Sequence, residues 1–132
     1  MRGFILIAAV SLGLASPAPA ENWRASSGGQ GATAYIDTDS IQRSGDEVRF
    51  WREVRWPAPR AFEDGTRYDR IGALYVADCR AMTLRAIRMR AALGATILAE
   101  GDTEEPTQNA GPGTTAETDL RSACFNDWPA AR

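Results

Sequence analysis

Val48-Arg49-Phe50-Trp51-Arg52-Glu53-Val54-Arg55-Trp56 alternates with a period of two residues. That spacing sends successive side chains to opposite faces of a strand. Val48, Phe50, Val54 and Trp56 share one face, which Arg52 interrupts, while Arg49, Trp51, Glu53 and Arg55 share the other. The stretch therefore predicts a long, half-buried strand. Pro57 and Pro59 follow it and are expected to end it, since proline has no N–H to give to a ladder, with Arg60 to Asp69 forming a polar loop.

Working outward, Ile71 to Cys79 predicts a second long strand, with Ile71, Ala73, Tyr75, Ala77 and Cys79 on one side and Leu74 and Val76 on the other. Met82 to Ala91 and Ala95 to Glu100 are read as two further strands, the former with a composition that suits a helix equally well. Upstream, Trp23-Arg24-Ala25 and Ala34 to Thr38 read as a hairpin turned by Gly28-Gly29-Gln30-Gly31. The segment Asp37 to Asp46 is rich in side chains that bond their own backbone, so it is expected to be an ordered connection that pivots at Gly45.

Residues 101–113 carry two prolines and three glycines without apolar periodicity, which predicts a flexible loop. A C-terminal helix is expected over residues 114–126. Thr114 and Glu117 have capping-box spacing, and Leu120 and Cys124, four apart, share a face. Strands followed by a helix make the class α+β.

The first residues are Met1-Arg2-Gly3, an apolar run from Phe4 to Leu14, and small residues at Ala18 and Ala20. These are the parts of a secretory signal peptide, with cleavage expected after Ala20. Residues 21–132 then make a single domain, periplasmic, secreted or at the cell surface, with no integral membrane segment after the leader is removed. Cys79 and Cys124 are the two cysteines. An isolated pair in an oxidising compartment predicts a structural disulfide, and one joining the helix face to the strand that carries Ala73 and Ala77 would let the helix approach closely.

The 15 basic residues are all arginine, and there is no histidine. Residues 43–90 hold eleven arginines against seven acids, whereas residues 91–132 hold two against seven. Loss of Arg2 takes the net charge from −2 to about −3, which argues against a nucleic-acid partner. Without histidine or a free thiol, and with no carboxylate pair in a recognisable context, the chain is expected to have no catalytic residues and no cofactor. Asp37 and Asp39 lack the further oxygen ligands of a calcium loop, so no metal site is expected.

Trp23, Tyr35-Ile36-Asp37, Ser40-Ile41, Gly45, Val48 and Trp51 form an ordered series. It continues with Tyr68, Asp78-Cys79, Arg85 and the Pro112-Gly113-Thr114 lead into a segment ending at Cys124. The series resembles the surface-adhesin protein E family of Gram-negative bacteria over nearly all of the chain after the leader. This resemblance implies one antiparallel sheet of about six strands with a single C-terminal helix packed on it and tied by the disulfide, and in some members a dimer made through the sheets. Its founding member is an adhesin that binds host matrix proteins. The resemblance thus implies an exported binding protein; a structural or envelope-accessory protein without an external ligand is the alternative. The chain lacks a lipidation cysteine at the expected cleavage site.

Trp51, Arg49, Arg55, Arg88 and Arg90 form the candidate binding surface, a stripe suited to a protein or to an anionic glycan or lipid. Arg52 and Arg85 extend it. Cross-strand pairing with Glu53 and with the acidic C-terminal part is favoured over ligand binding for these arginines. Trp51 is either an exposed anchor or packed beneath a loop, whereas Trp23 and Trp56 are expected in the core.

Overall fold

The computed structural model describes residues 21–29 and 31–130. The expected leader and its cleavage point lie outside these residues. Within them the chain forms β1 (Trp23–Gly29), β2 (Ala32–Asp37), a 3₁₀ turn (Thr38–Ser40), β3 (Gln42–Ser44), β4 (Glu47–Ala61) and β5 (Arg67–Asp78). There follow β6 (Thr83–Leu93), β7 (Thr96–Asp102), β8 (Gln108–Asn109) and the helix α1 (Thr115–Phe125). The strands make one antiparallel sheet in the order β1-β2-β4-β5-β6-β7, with β3 paired to β4 and β8 to β6. The six-strand path matches the reading of the sequence, but the described residues contain eight strands. The two additional strands are three and two residues long and exposed throughout. They pair through their backbones, with Arg43 of β3 also donating to the Cys124 carbonyl at 2.7 Å, and have no side-chain alternation to announce them.

A second departure concerns the prolines. β4 runs through Pro57 and Pro59 to Ala61 and pairs again with β5 through Arg60 opposite Tyr68 and Ala61 opposite Arg67. Both prolines fall in the register gap between Arg55 and Arg60, where no ladder bond is lost by a missing N–H. The expected polar loop thereby shrinks to a turn closed by Phe62 and Thr66, with Gly65 at φ +85°. The Asp64 carboxylate accepts from the Thr66 backbone N–H, which holds its pKa below the ordinary value. In the 101–113 segment, β7 reaches Asp102 and β8 pairs with the start of β6, so this stretch is partly strand rather than wholly loop.

The connection from Asp37 to Asp46 is ordered, as its residue types predict. The Asp37 carboxylate accepts from the backbone N–H groups of Asn22 and Asp39, which assigns it to turn capping. Ser40 donates to the Asp37 carbonyl and accepts from the Trp51 N–H at 2.8 Å. That hydroxyl bridges the gap along β4 between its pairings with β2 and β3.

One face of the sheet carries the core. Ile36, Val48, Phe50, Ala77, Leu84 and Leu120 are buried with Cys79 and Cys124. Leu120 is fully enclosed, which contributes about 2 kcal/mol. Trp23 and Trp56, expected in this core, are only half-buried and lie outside it. Trp56 sits edge-on to Tyr68, which stacks on the exposed Phe62; Trp23 lies under Arg55.

Thr114 caps α1 by accepting from the Glu117 N–H. The reciprocal half of the capping box is absent, because the Thr114 N–H donates to the Gly111 carbonyl and Glu117 faces Arg121. The helix ends with Asn126 in the left-handed region, the Asp127 N–H returning to the Arg121 carbonyl. Its backbone lies nearest β1 and β4, while Leu120, Ala123 and Cys124 share a buried cluster with Ala77 and Cys79 at the end of β5, as the expected disulfide requires.

Asp119 accounts for that placement. Buried beneath the helix, it accepts from Ser26 at 2.7 Å, Ser27 at 2.9 Å and Arg52 at 2.6 Å. The bulge in β1 at Ser26 turns two consecutive serines toward one carboxylate. Arg52, which interrupts the apolar face of β4, is thus the sheet's counter-charge for the helix. At the other end Cys124 is bonded to Cys79, 45 residues away in sequence.

Removing Asp119 leaves Arg52 and Ser26 without their partner. Asp119→Ala is expected to lower unfolding free energy by about 3 kcal/mol in a urea titration, with Asp119→Asn intermediate. Replacing both cysteines by serine should cost about 4 kcal/mol, from the loop closed by the bridge.

Candidate binding surface

The face opposite the helix carries Trp51, Glu53 and Arg55 of β4, and register aligns their neighbours. Tyr35 of β2, Glu53, Gly72 of β5, Arg90 of β6 and Glu100 of β7 form one row across five strands. Glu53 is the centre of this row and is 2% exposed. Arg55 Nε lies 2.8 Å from its Oε1, Arg70 Nη1 lies 3.3 Å from the same oxygen, and Arg90 Nη2 lies 3.6 Å from Oε2. One buried carboxylate is shared by three guanidinium groups, each of them partly open to solvent. Arg70 also donates to the Gly94 carbonyl.

Arg90 reaches Glu53 by passing close over residue 72, where a side chain would crowd it. A Cβ built on Gly72 would lie 3.3 Å from both Cγ and Nε of Arg90. The glycine therefore serves close approach, with Arg90 lying over the backbone of β5. On its way Arg90 covers the Trp51 ring at 4.6 Å, while Arg55 covers Tyr35 at 4.3 Å and Trp23 at 5.3 Å. Each guanidinium thus combines a carboxylate at its edge with an aromatic ring at its face, a geometry that suits arginine and not lysine.

The candidate residues separate into groups. Arg55 and Arg90 converge on Glu53. Arg88 belongs to a different cluster, donating to Asp102 at 2.7 Å and Glu100 at 3.4 Å; the hydrogen bond it gives to the Asp102 carboxylate raises its pKa above the ordinary arginine value. Arg49 is exposed and reaches its strand neighbour Glu47 at 3.4 Å. Arg85 is exposed and has no salt bridge among those of the described residues. Trp51 is half-buried, covered by Arg90 rather than by a loop. Arg52 faces the helix. Pairing with acids therefore occupies most of the arginine stripe: across strands for Arg88 and Arg90, within β4 for Arg49 and Arg55, and to the helix for Arg52. Arg70, Gly72 and Tyr35 were missing from the sequence-based surface, and their one signal is a glycine in the middle of a strand pattern. Among the described residues no group of three or more His, Cys, Asp or Glu side chains is placed to hold a metal ion.

The family model described as surface-adhesin protein E matches residues 23–125, the whole span from β1 to the end of α1. The chain belongs to the surface-adhesin protein E family. Among solved structures, crystal form II of Haemophilus influenzae protein E is similar with a TM-score of 0.59 at 17% identity, covering 83% of this chain and 94% of that one. Protein E from non-typeable Haemophilus influenzae gives a TM-score of 0.58 at 17% identity, covering 83% and 82%. Identities this low speak to the fold. No curated protein sequence matches the chain.

Disturbing the shared carboxylate should loosen the whole face. Glu53→Ala leaves three cations together and is expected to cost about 3 kcal/mol, discounted for the partial exposure of the arginines. Gly72→Val, which displaces Arg90 from Glu53, should cost about 1–3 kcal/mol, and Gly72→Ala should be milder, both read as shifts in the urea midpoint.

Proposed function

We propose that this protein is an exported, non-enzymatic, adhesin-like binding protein. On this reading it engages protein partners or anionic envelope components through the sheet face that carries Trp51, Arg49, Arg55, Arg88 and Arg90. Family membership supports an adhesin-like role. The observation that carries the choice of face is its layering. Guanidinium groups rest on aromatic rings and are oriented by a buried carboxylate, on the side of the sheet that the helix leaves open. Groups fixed in this way lose little conformational entropy when a partner arrives. Near Glu53, three arginines share one carboxylate, which leaves positive charge for an anionic group.

A second reading, an envelope-accessory protein without an external ligand, draws on the same pairings, since arginines satisfied within the sheet stabilise it whether or not anything binds. Arg49 separates the two, being exposed and bonded only to its strand neighbour. In solid-phase binding to an immobilised matrix protein and to heparin, Arg49→Glu is expected to weaken association about tenfold with an unchanged melting temperature. Unaltered binding, or none by the parent protein, favours the accessory role. Export has its own test. Protein recovered from the periplasm or medium of an expressing bacterium should begin at Glu21 by intact mass, and one that retains Met1 would be inconsistent with export.

A further inference from the structure

The sheet ends at β7, which is bonded on one side only, to β6. All seven of its residues are exposed, with Ile97 at 52% and Leu98 at 38%. The Thr103 N–H donates to the Ile87 carbonyl of β6 at 3.1 Å. Because backbone groups of successive strand residues point to alternate sides, Gly101 also faces β6, and the N–H and C=O groups of Glu100 and Asp102 face outward. No backbone hydrogen bond among the described residues reaches them from that side. An open edge with exposed apolar residues is the template onto which a further strand adds.

The side chains specify what such a strand would carry. Glu100 and Asp102 stand opposite Arg90 and Arg88, on the face away from the helix, and Asp102 is 87% exposed. Glu104 and Glu105 follow, and among the described residues Arg88 is the one arginine bonded to this group, so the outer side of the edge is acidic. On the other face Ala99 and Gly101 are small and stand opposite Ala91 and Met89, the latter 37% exposed. A guest's side chains on that face would find space beside Met89. Pairing of β7 with β7 of a second copy sets Glu100 and Asp102 against the same acids, which opposes a symmetric dimer through this edge.

We propose that the free edge of β7 is a docking site for an extended polypeptide segment that alternates basic and bulky apolar residues. The segment bonds to the outward backbone groups of Glu100 and Asp102, sets its basic side chains against their carboxylates and lays its apolar ones over Ala99, Gly101 and Met89. The site adjoins the Trp51 face and shares Arg88 with it, but its recognition rests on the backbone of β7, so peptide N-methylation tests it independently of Arg49→Glu.

The probe is the acetylated, amidated peptide Lys-Val-Lys-Phe-Lys-Val, titrated into the oxidised, isotope-labelled protein. Amide hydrogen exchange at Glu100 and Asp102 should slow on binding, and affinity should fall as salt rises. Glu100→Pro removes an outward N–H without a β6 bond and should weaken binding about tenfold or more. N-methylation of alternate peptide amides should do the same with the protein unaltered, and replacing lysine by glutamate in the peptide should abolish binding. The proposal is overturned by no binding at millimolar peptide, by protection confined to β1 or to the Trp51 face, or by binding indifferent to N-methylation. It is equally overturned if the edge is occupied by a second copy, seen as a doubled mass with protected Glu100 and Asp102 amides in the absence of peptide.

Discussion

The Asp119 carboxylate is the contact on which the arrangement of the domain depends. A helix of eleven residues has little stability alone, and this one presents few apolar side chains to the sheet. Its position is fixed by direction-specific bonds, three donors from β1 and β4 at its middle and a covalent link to the end of β5 near its C-terminus. Leu120 and Ala123 fill the space between those two attachments. The disulfide restricts the unfolded chain, while the carboxylate selects which strands the helix lies against.

Two adjacent residues of β4 show how a chain with 24% charged residues builds a stable sheet around a small, alanine-rich core. Arg52 points to the helix side and meets Asp119; Glu53 points to the opposite side and meets three arginines. On each face a buried acid thus meets cationic partners, Arg52 for Asp119 and, for Glu53, Arg55 of the same strand with Arg70 and Arg90 of its neighbours. Such pairs give modest net stability, since desolvation offsets much of the attraction. Their larger effect is on register. Slipping β5 by one residue would take Gly72 out of the row and crowd Arg90 on its way to Glu53.

The two faces consequently differ in what they can offer a partner. The helix side is occupied by the helix over the core cluster. The opposite side is a preorganised layer of rings and guanidinium groups, and the β7 edge offers backbone. Family membership supports an adhesin-like surface protein.

The amino-acid order by itself determined β4 and β5, the C-terminal helix, the turn chemistry at Asp37 and Gly45, and the cysteine pair, and it placed the other principal strands with β6 equally open to a helix. These depend on periodicity and on side chains that bond their own backbone, both local properties. The tertiary structure decided what depends on register: the continuation of β4 past Pro57 and Pro59, the strands β3 and β8, the half-buried places of Trp23 and Trp56, and the seat of the helix over β1 and β4. It also decided the partners of Glu53 and Asp119. Glu53 and Asp119 look like ordinary surface acids in a linear chain. Their burial follows from which arginines and serines distant strands bring beside them, a matching between strands for which the alternation within any one strand carries no signal.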